Sequence, residues 1–157
     1  MGNVEPIAPY LEPLRKTRIV PIPPAQAFDL FTARMATWWP LATHSVFEGE
    51  AATCGFEPRT GGALFEAKAD GERSVWGTVL AWEPPDRLVV TWHPGRGPDT
   101  AQELEVRFLP DGRGTRVELE HRGWQKLGAE AAATREGYRG GWEGVLARYV
   151  EAAGGAR

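Results

Sequence analysis

Between Leu127 and Ala153 the chain carries one helical stripe, and a helix of that length dictates what the rest must be. With Tyr138 at zero on a wheel, Leu127, Ala131, Thr134, Trp142, Val145 and Tyr149 fall within about 40° of it at 100° per residue. Glu136, Arg139, Glu143, Ala147 and Glu151 fall opposite. Such a rod would run roughly 40 Å at 1.5 Å per residue, long enough to cross a small domain. It also contains Gly137, Gly140, Gly141 and Gly144, each costing roughly 1 kcal/mol against Ala inside a helix. Gly137, Gly141 and Gly144 line one flank of the stripe, so a second backbone is expected close to them. The alternative is a break at Gly140-Gly141.

The remaining segments are short and punctuated. Residues 1–14 carry Pro6, Pro9 and Pro13 and read as an extended arm; residues 15–157 read as a single domain. A strand is expected over Arg15–Ile22, closed by Pro21, Pro23 and Pro24. Pro24 suits the start of a helix, with apolar Ala27, Phe28, Leu30 and Phe31 following it. A second short helix over Met35–Trp39 ends at Pro40, and Leu41–Ala52 reads as a loop. Strands then follow at Thr53–Pro58, Ala63–Ala69, Arg73–Glu83, Arg87–His93, Gln102–Leu109 and Thr115–Arg122, separated by turn signals such as Asp70-Gly71 and Pro110-Asp111-Gly112. In the last two, Leu104, Val106 and Phe108 alternate with Glu103, Glu105 and Arg107, and Val117 and Leu119 alternate with Arg116, Glu118 and Glu120. One face is buried and the other wet, with cross-strand ion pairs outside. The fold class is α+β: a curved antiparallel sheet of six or seven strands around a long C-terminal helix, with two short helices after the first strand. A concave sheet outreaches a single cylinder, so a cavity is expected between sheet and helix, its mouth near Trp38, Trp39 and the hairpin tips.

Composition removes several functions. At 157 residues and 42% hydrophobic content the chain can bury a real core. A net charge of −3 gives no basic footprint for nucleic acid. There is no signal-peptide pattern and no run long enough to insert in a membrane, so a cytoplasmic protein is expected. The single Cys54 cannot form an internal disulfide and reads as inert. Together with His44, His93 and His121 it shows no metal-ligand spacing, and no cofactor motif is present.

Several phrases resemble one superfamily. TRIVPIPPAQAFDLFT opens the domain, followed by WWP at Trp38–Pro40, FEPRTGGALFE at Phe56–Glu66, WGTVLAWEPPDRLVVTW at Trp76–Trp92 and YRGGWEGVLARY at Tyr138–Tyr149. With the element order, these resemble the START-like/Bet v1-like superfamily, whose members have a helix-grip fold. Within it, the chain looks like the branch related to the C-terminal domain of the activator of the Hsp90 ATPase. The resemblance covers Arg15 to Ala152. It implies the helix-grip fold and is weakly informative about activity, since the superfamily includes lipid carriers, hormone receptors, polyketide cyclases and coenzyme Q-binding proteins. In the eukaryotic activator much of the ATPase stimulation belongs to a separate N-terminal domain. Only about fourteen residues precede the first strand here, so an Hsp90 co-chaperone role is not expected.

Seven tryptophans are many for this length, and they fit either a bulky core or an aromatic cavity. The candidate ligand-binding set is Trp38, Trp39, Phe56, Phe65, Trp76, Trp92, Tyr138 and Trp142. Tyr138 and Trp142, one turn apart, could offer a hydroxyl and an indole N–H to a ligand; the alternative is a pair of satisfied core aromatics. Trp76, Thr78, Leu80 and Trp82 are expected on one side of their strand, Leu80 among the core residues with Leu88 and Val90. His44, in the loop after the Trp pair, is the general-base candidate, and Glu66 its candidate partner. Glu57 and Glu66 are expected to face water if Phe56 and Phe65 face the core, unless a bulge near Gly61-Gly62 inverts the parity. Three functional readings stand at this point. One is a carrier of an apolar or aromatic small molecule; another is a cyclase- or hydrolase-type enzyme in the same cavity; the last is an interaction module. A homodimer is compatible with the sequence, which specifies no surface for it.

Overall fold

The computed structural model describes residues 10–154. Most of the expected N-terminal arm, residues 1–9, lies outside them. Strand β1 (Leu14–Val20) leads through Pro21 and Pro23 to helix α1 (Pro24–Phe31). Proline at the first helical position sacrifices no hydrogen bond, and Ala27, Phe28, Leu30 and Phe31 form the buried face. The second expected helix is a single 3-10 turn, Met35–Thr37. Loop 41–50 then enters β2 (Ala51–Phe56), β3 (Ala63–Lys68), β4 (Arg73–Glu83), β5 (Arg87–Trp92), β6 (Gln102–Asp111) and β7 (Gly114–Arg122).

The strands form one seven-stranded sheet in the order β1-β7-β6-β5-β4-β3-β2, each neighbouring pair antiparallel. It curls into a half-barrel around α2 (Ala131–Ala152), the helix-grip arrangement expected. Three register shifts, near Ala51/Thr53, Leu64/Phe65 and Val79/Ala81, bend the β2–β5 half. At Gly77 the backbones of β4 and β5 close in so far that a Cβ would sit 1.7 Å from the Thr91 carbonyl oxygen. Only glycine allows that approach.

The bulges overturn one expectation directly. Along β4 the inward residues are Trp76, Val79 and Trp82 rather than every second side chain, and Leu80, expected in the core, is 45% exposed. Leu88 and Val90 are fully buried, as expected.

The C-terminal helix differs at its start and along its flank. A 3-10 run, Trp124–Glu130, precedes it and is interrupted at Gly128, whose φ of 57° and ψ of −126° suit glycine alone. The α-helix therefore begins at Ala131 rather than Leu127. It continues unbroken through Gly140-Gly141 and buries Ala131, Trp142, Val145, Leu146 and Tyr149. Among the described residues no second backbone lies against Gly137, Gly141 or Gly144: a Cβ built on any of them meets nothing within 4 Å. The helix is held instead by its aromatic side. Tyr149 Oη donates to the Ala27 carbonyl at 2.8 Å, and Arg148 Nε donates to the Trp38 carbonyl at 2.8 Å.

Outside, Glu105 sits among three guanidinium groups, accepting from Arg87 Nε at 2.6 Å, Arg122 Nη1 at 2.7 Å and Arg107 Nε at 2.8 Å. Burial would raise its pKa, but the arginine hydrogen bonds prevail and hold it down at about 2. This is the cross-strand pairing the alternation of Glu and Arg foretold.

Candidate functional site

A cavity of about 420 Å³ opens at one end of the space between sheet and α2. The sheet contributes Glu66, Trp76 and Trp92, and α2 contributes Tyr138, Gly141, Trp142 and Val145. Loop residues Thr43, His44, Ser45 and Val46 face Pro94 and Gly95 across its mouth, with Trp39 between loop and core. Gly141 presents no side chain to it, so the small residues of the helix leave space rather than admit a neighbouring backbone.

The deeper part of the hollow is occupied by indoles. Ring centroids lie 5.2 Å apart for Trp39–Trp76, 5.8 Å for Trp76–Trp92 and 5.4 Å for Trp92–Trp142. All four rings are buried. Each indole N–H is already engaged: Trp39 with the His44 carbonyl, Trp76 with Glu66 Oε1, Trp92 with Tyr138 Oη and Trp142 with His121 Nδ1. An indole has one donor and no acceptor, so these walls present π faces and hydrocarbon edges. Of the two readings of Trp142, donor to a ligand or satisfied core aromatic, its hydrogen bond to His121 fits the second.

His121 is wholly buried and stacks on Trp124, with centroids 4.1 Å apart. Because Trp142 can only donate, Nδ1 must be the acceptor. The proton is then on Nε2, 3.2 Å from Gln102 Oε1. Burial pushes its pKa down to about 3, and the ring stays neutral behind the cavity wall.

Glu66 is the largest departure from expectation. Leu64 and Glu66 are both 0% exposed, so the carboxylate points inward and Phe65 outward. Phe65 lies under the Arg73 guanidinium, 3.7 Å from its ring centroid, on the far side of β3 from the cavity. The energetic reason is that Glu66 has dedicated donors. Oε1 accepts from the Val46 amide at 2.5 Å and from Trp76 Nε1 at 2.7 Å, and Oε2 accepts from the Phe47 amide at 2.9 Å. A buried carboxylate so satisfied ties loop 41–50 to the sheet. Glu57, by contrast, sits in the strand-end turn, accepting from the Ala63 amide and from Arg73.

The other predicted residues separate cleanly. Trp39, Trp76, Trp92, Tyr138, Trp142, His44 and Glu66 share one cavity. Trp38 turns the other way, donating to the Leu30 carbonyl at 2.7 Å and packing on Tyr149. Phe56 packs on Trp82, with centroids 5.9 Å apart, rather than on the cavity. His44 is exposed at the mouth, its Nδ1 2.8 Å from Thr43 Oγ1. No hydrogen bond joins it to Glu66 among the described residues, whose carboxylate serves the loop amides. Thr43, Ser45, Val46, Pro94, Gly95, Gly141 and Val145 were missed as lining; the helical stripe pointed to Val145 and its glycine flank to Gly141. Cys54 is buried, and burial first, then the nearby Glu66, pushes its thiol up to about 12, which makes it inert. No cluster of metal-ligating side chains occurs, and no helix is long and apolar enough to cross a membrane, among the described residues.

Comparison with known proteins places this geometry. Residues 21–153 match the family model described as Activator of Hsp90 ATPase homolog 1-like protein. No curated protein sequence matches the chain. Among solved structures, the chain is 37% identical to Txn09, described as an anthrahydroquino-gama-pyrone synthase complexed with SUM; the match covers 90% of this chain and 97% of that one, with a TM-score of 0.63. It is 27% identical to CalC of Micromonospora echinospora, described as a self-sacrificing resistance protein, over 93% of this chain and 97% of that one, with a TM-score of 0.66. CalU16 of the same organism, at 24% identity and a TM-score of 0.55 over 88% of this chain and 70% of that one, shares the fold.

Proposed function

The chain belongs to the Activator of Hsp90 ATPase homolog 1-like family, and from that premise we propose that it binds a flat, apolar or aromatic small molecule. One observation carries the reading: a 420 Å³ cavity walled by four indoles whose N–H groups are all spent internally. Such walls reward stacking and exclude strongly hydrated ligands. The similarity to Txn09, a protein named for a fused aromatic product, supports the same ligand class. The expected setting is cytoplasmic, with a small molecule as partner and no part for Hsp90. Native mass spectrometry and thermal-shift assays against aromatic polyketides, quinones and lipids test it, with Gly141→Phe as the matched variant. The new ring projects from α2 into the cavity, so binding should vanish while the fold persists. Absence of any binder, or binding untouched by Gly141→Phe, would refute the reading.

The 37% identity to a synthase favours a second reading, in which the cavity also catalyses. In that reading His44, which lines the mouth, exchanges a proton with the bound molecule, and Glu66, bonded to the Val46 and Phe47 amides, holds the loop that carries it. His44→Ala should then abolish turnover and leave binding largely intact; equal turnover in the variant would remove His44 from consideration.

A further inference from the structure

Among the cavity's indole and phenol groups one polar hydrogen is unspent. Tyr138 Oη accepts the Trp92 indole N–H at 3.0 Å. Since that nitrogen can only donate, the phenol's own hydrogen must point elsewhere. It has no acceptor among the described residues, although Tyr138 lines the cavity and remains partly accessible. The Trp92 bond also polarises the hydroxyl, because hydrogen bonds in a chain strengthen one another. Burial pushes the Tyr138 pKa up, with Trp92 opposing it more weakly, so the group stays a donor at neutral pH.

The remaining polar groups do not compete for this role. Glu66 has no exposed surface and holds the loop amides. Ser45 Oγ donates to the Glu48 carbonyl, and His44, its Nδ1 paired with Thr43 Oγ1, stands exposed at the mouth. From the indole and phenol walls a seated ligand therefore meets one directed donor, held on α2 against Trp92 of β5.

We infer that the Tyr138 hydroxyl, held by Trp92, is the polar anchor of the cavity and selects a fused aromatic ligand bearing an acceptor oxygen, a ketone or quinone carbonyl. This rests on the reading of the cavity as a small-molecule site, and it adds which ligands are preferred and why. A donor aimed at a carbonyl also favours the form in which negative charge gathers on that oxygen. The same contact would thus serve either a carrier or a catalyst.

Two near-isosteric probes separate the possibilities. Fluorene and 9-fluorenone share three fused rings and differ by a CH₂ replaced with a carbonyl. In tryptophan-fluorescence titrations the whole chain should bind 9-fluorenone about three- to tenfold more tightly than fluorene, the worth of one net hydrogen bond. That preference should appear although fluorene is the more apolar molecule. Tyr138→Phe should erase the preference and leave fluorene affinity within about twofold. The Trp92 N–H does not substitute, because it lies 3.0 Å behind the lost oxygen. The infrared carbonyl band of bound 9-fluorenone should move to lower frequency in the wild type and not in Tyr138→Phe. Equal affinities for the two probes, or a preference that survives Tyr138→Phe, would overturn the anchor while sparing the binding site. Failure of both probes to bind would overturn the site itself.

Discussion

Glu66 is the side chain whose alteration best tests how the cavity mouth is held. Replacing it by Gln keeps volume and shape but exchanges one acceptor oxygen for an NH₂. With the amide oxygen at the Oε1 position, the Val46 amide and Trp76 indole keep their partner, at native distances of 2.5 and 2.7 Å. The NH₂ then faces the Phe47 amide, whose native bond to Oε2 is 2.9 Å, donor against donor. Flipping the amide sacrifices two bonds to save one, so the first arrangement prevails. Leaving one partly buried N–H unsatisfied costs about 1–3 kcal/mol. At 1.4 kcal/mol per factor of ten, that is about a five- to 150-fold loss of protection. The cost is local, because the loop can open without unfolding β5–β7. Amide hydrogen exchange should therefore accelerate by that factor over residues 43–50 in Glu66→Gln, with the Phe47 amide leading. Protection across β6 and β7, and the main thermal transition, should change little. Unchanged exchange in the loop would show that Glu66 is not what holds it, and uniformly faster exchange would show that it supports the whole fold instead.

Three other perturbations give distinct readouts. Gly137→Ala, Gly140→Ala and Gly144→Ala each add a Cβ into open space and should raise stability by up to about 1 kcal/mol in urea denaturation; a loss would mean that the added methyl collides with a neighbour. Gly77→Ala forces a Cβ to within 1.7 Å of the Thr91 oxygen and should cost about 3 kcal/mol or more, because backbone must move; a neutral result would deny the close crossing of β4 and β5. Stability should also fall in acid in two windows. His121, depressed to about 3 from 6.5, disfavours folding progressively as pH drops from about 6.5 towards 3, since the unfolded chain then binds the extra proton. Glu105, held at about 2 instead of 4.5, loses its contribution between about pH 4.5 and 2. Denaturation midpoints across pH 2–8 check this: Glu105→Gln should flatten the lower window and leave the upper one in place.

Much of the architecture was legible in the chain. The Pro23-Pro24 start of α1, the hairpin at Asp70-Gly71 and the alternation of β6 and β7 depend on neighbours in sequence, and each lies within a residue or two of its expected place. The aromatic side of α2 was likewise readable from its period. Gly128 set the limit. Its backbone conformation suits glycine only, yet nothing in the stripe from Leu127 distinguished a C-terminal helix that starts there from one that starts at Ala131.

What sequence alone settled was which residues alternate, which recur every turn, and hence a sheet gripping one helix. The bends were settled elsewhere. Bulges in β3 and β4 depend on register against a partner strand, and they turned Leu80 outward. The inward turn of Glu66 depended on three donors, two of them backbone amides some twenty residues back in the chain. Whether the glycines of α2 faced a backbone or an empty space likewise depended on elements remote in sequence. A periodicity reports what one segment prefers to hide; how much room remains after seven indoles are placed is a property of all the segments at once.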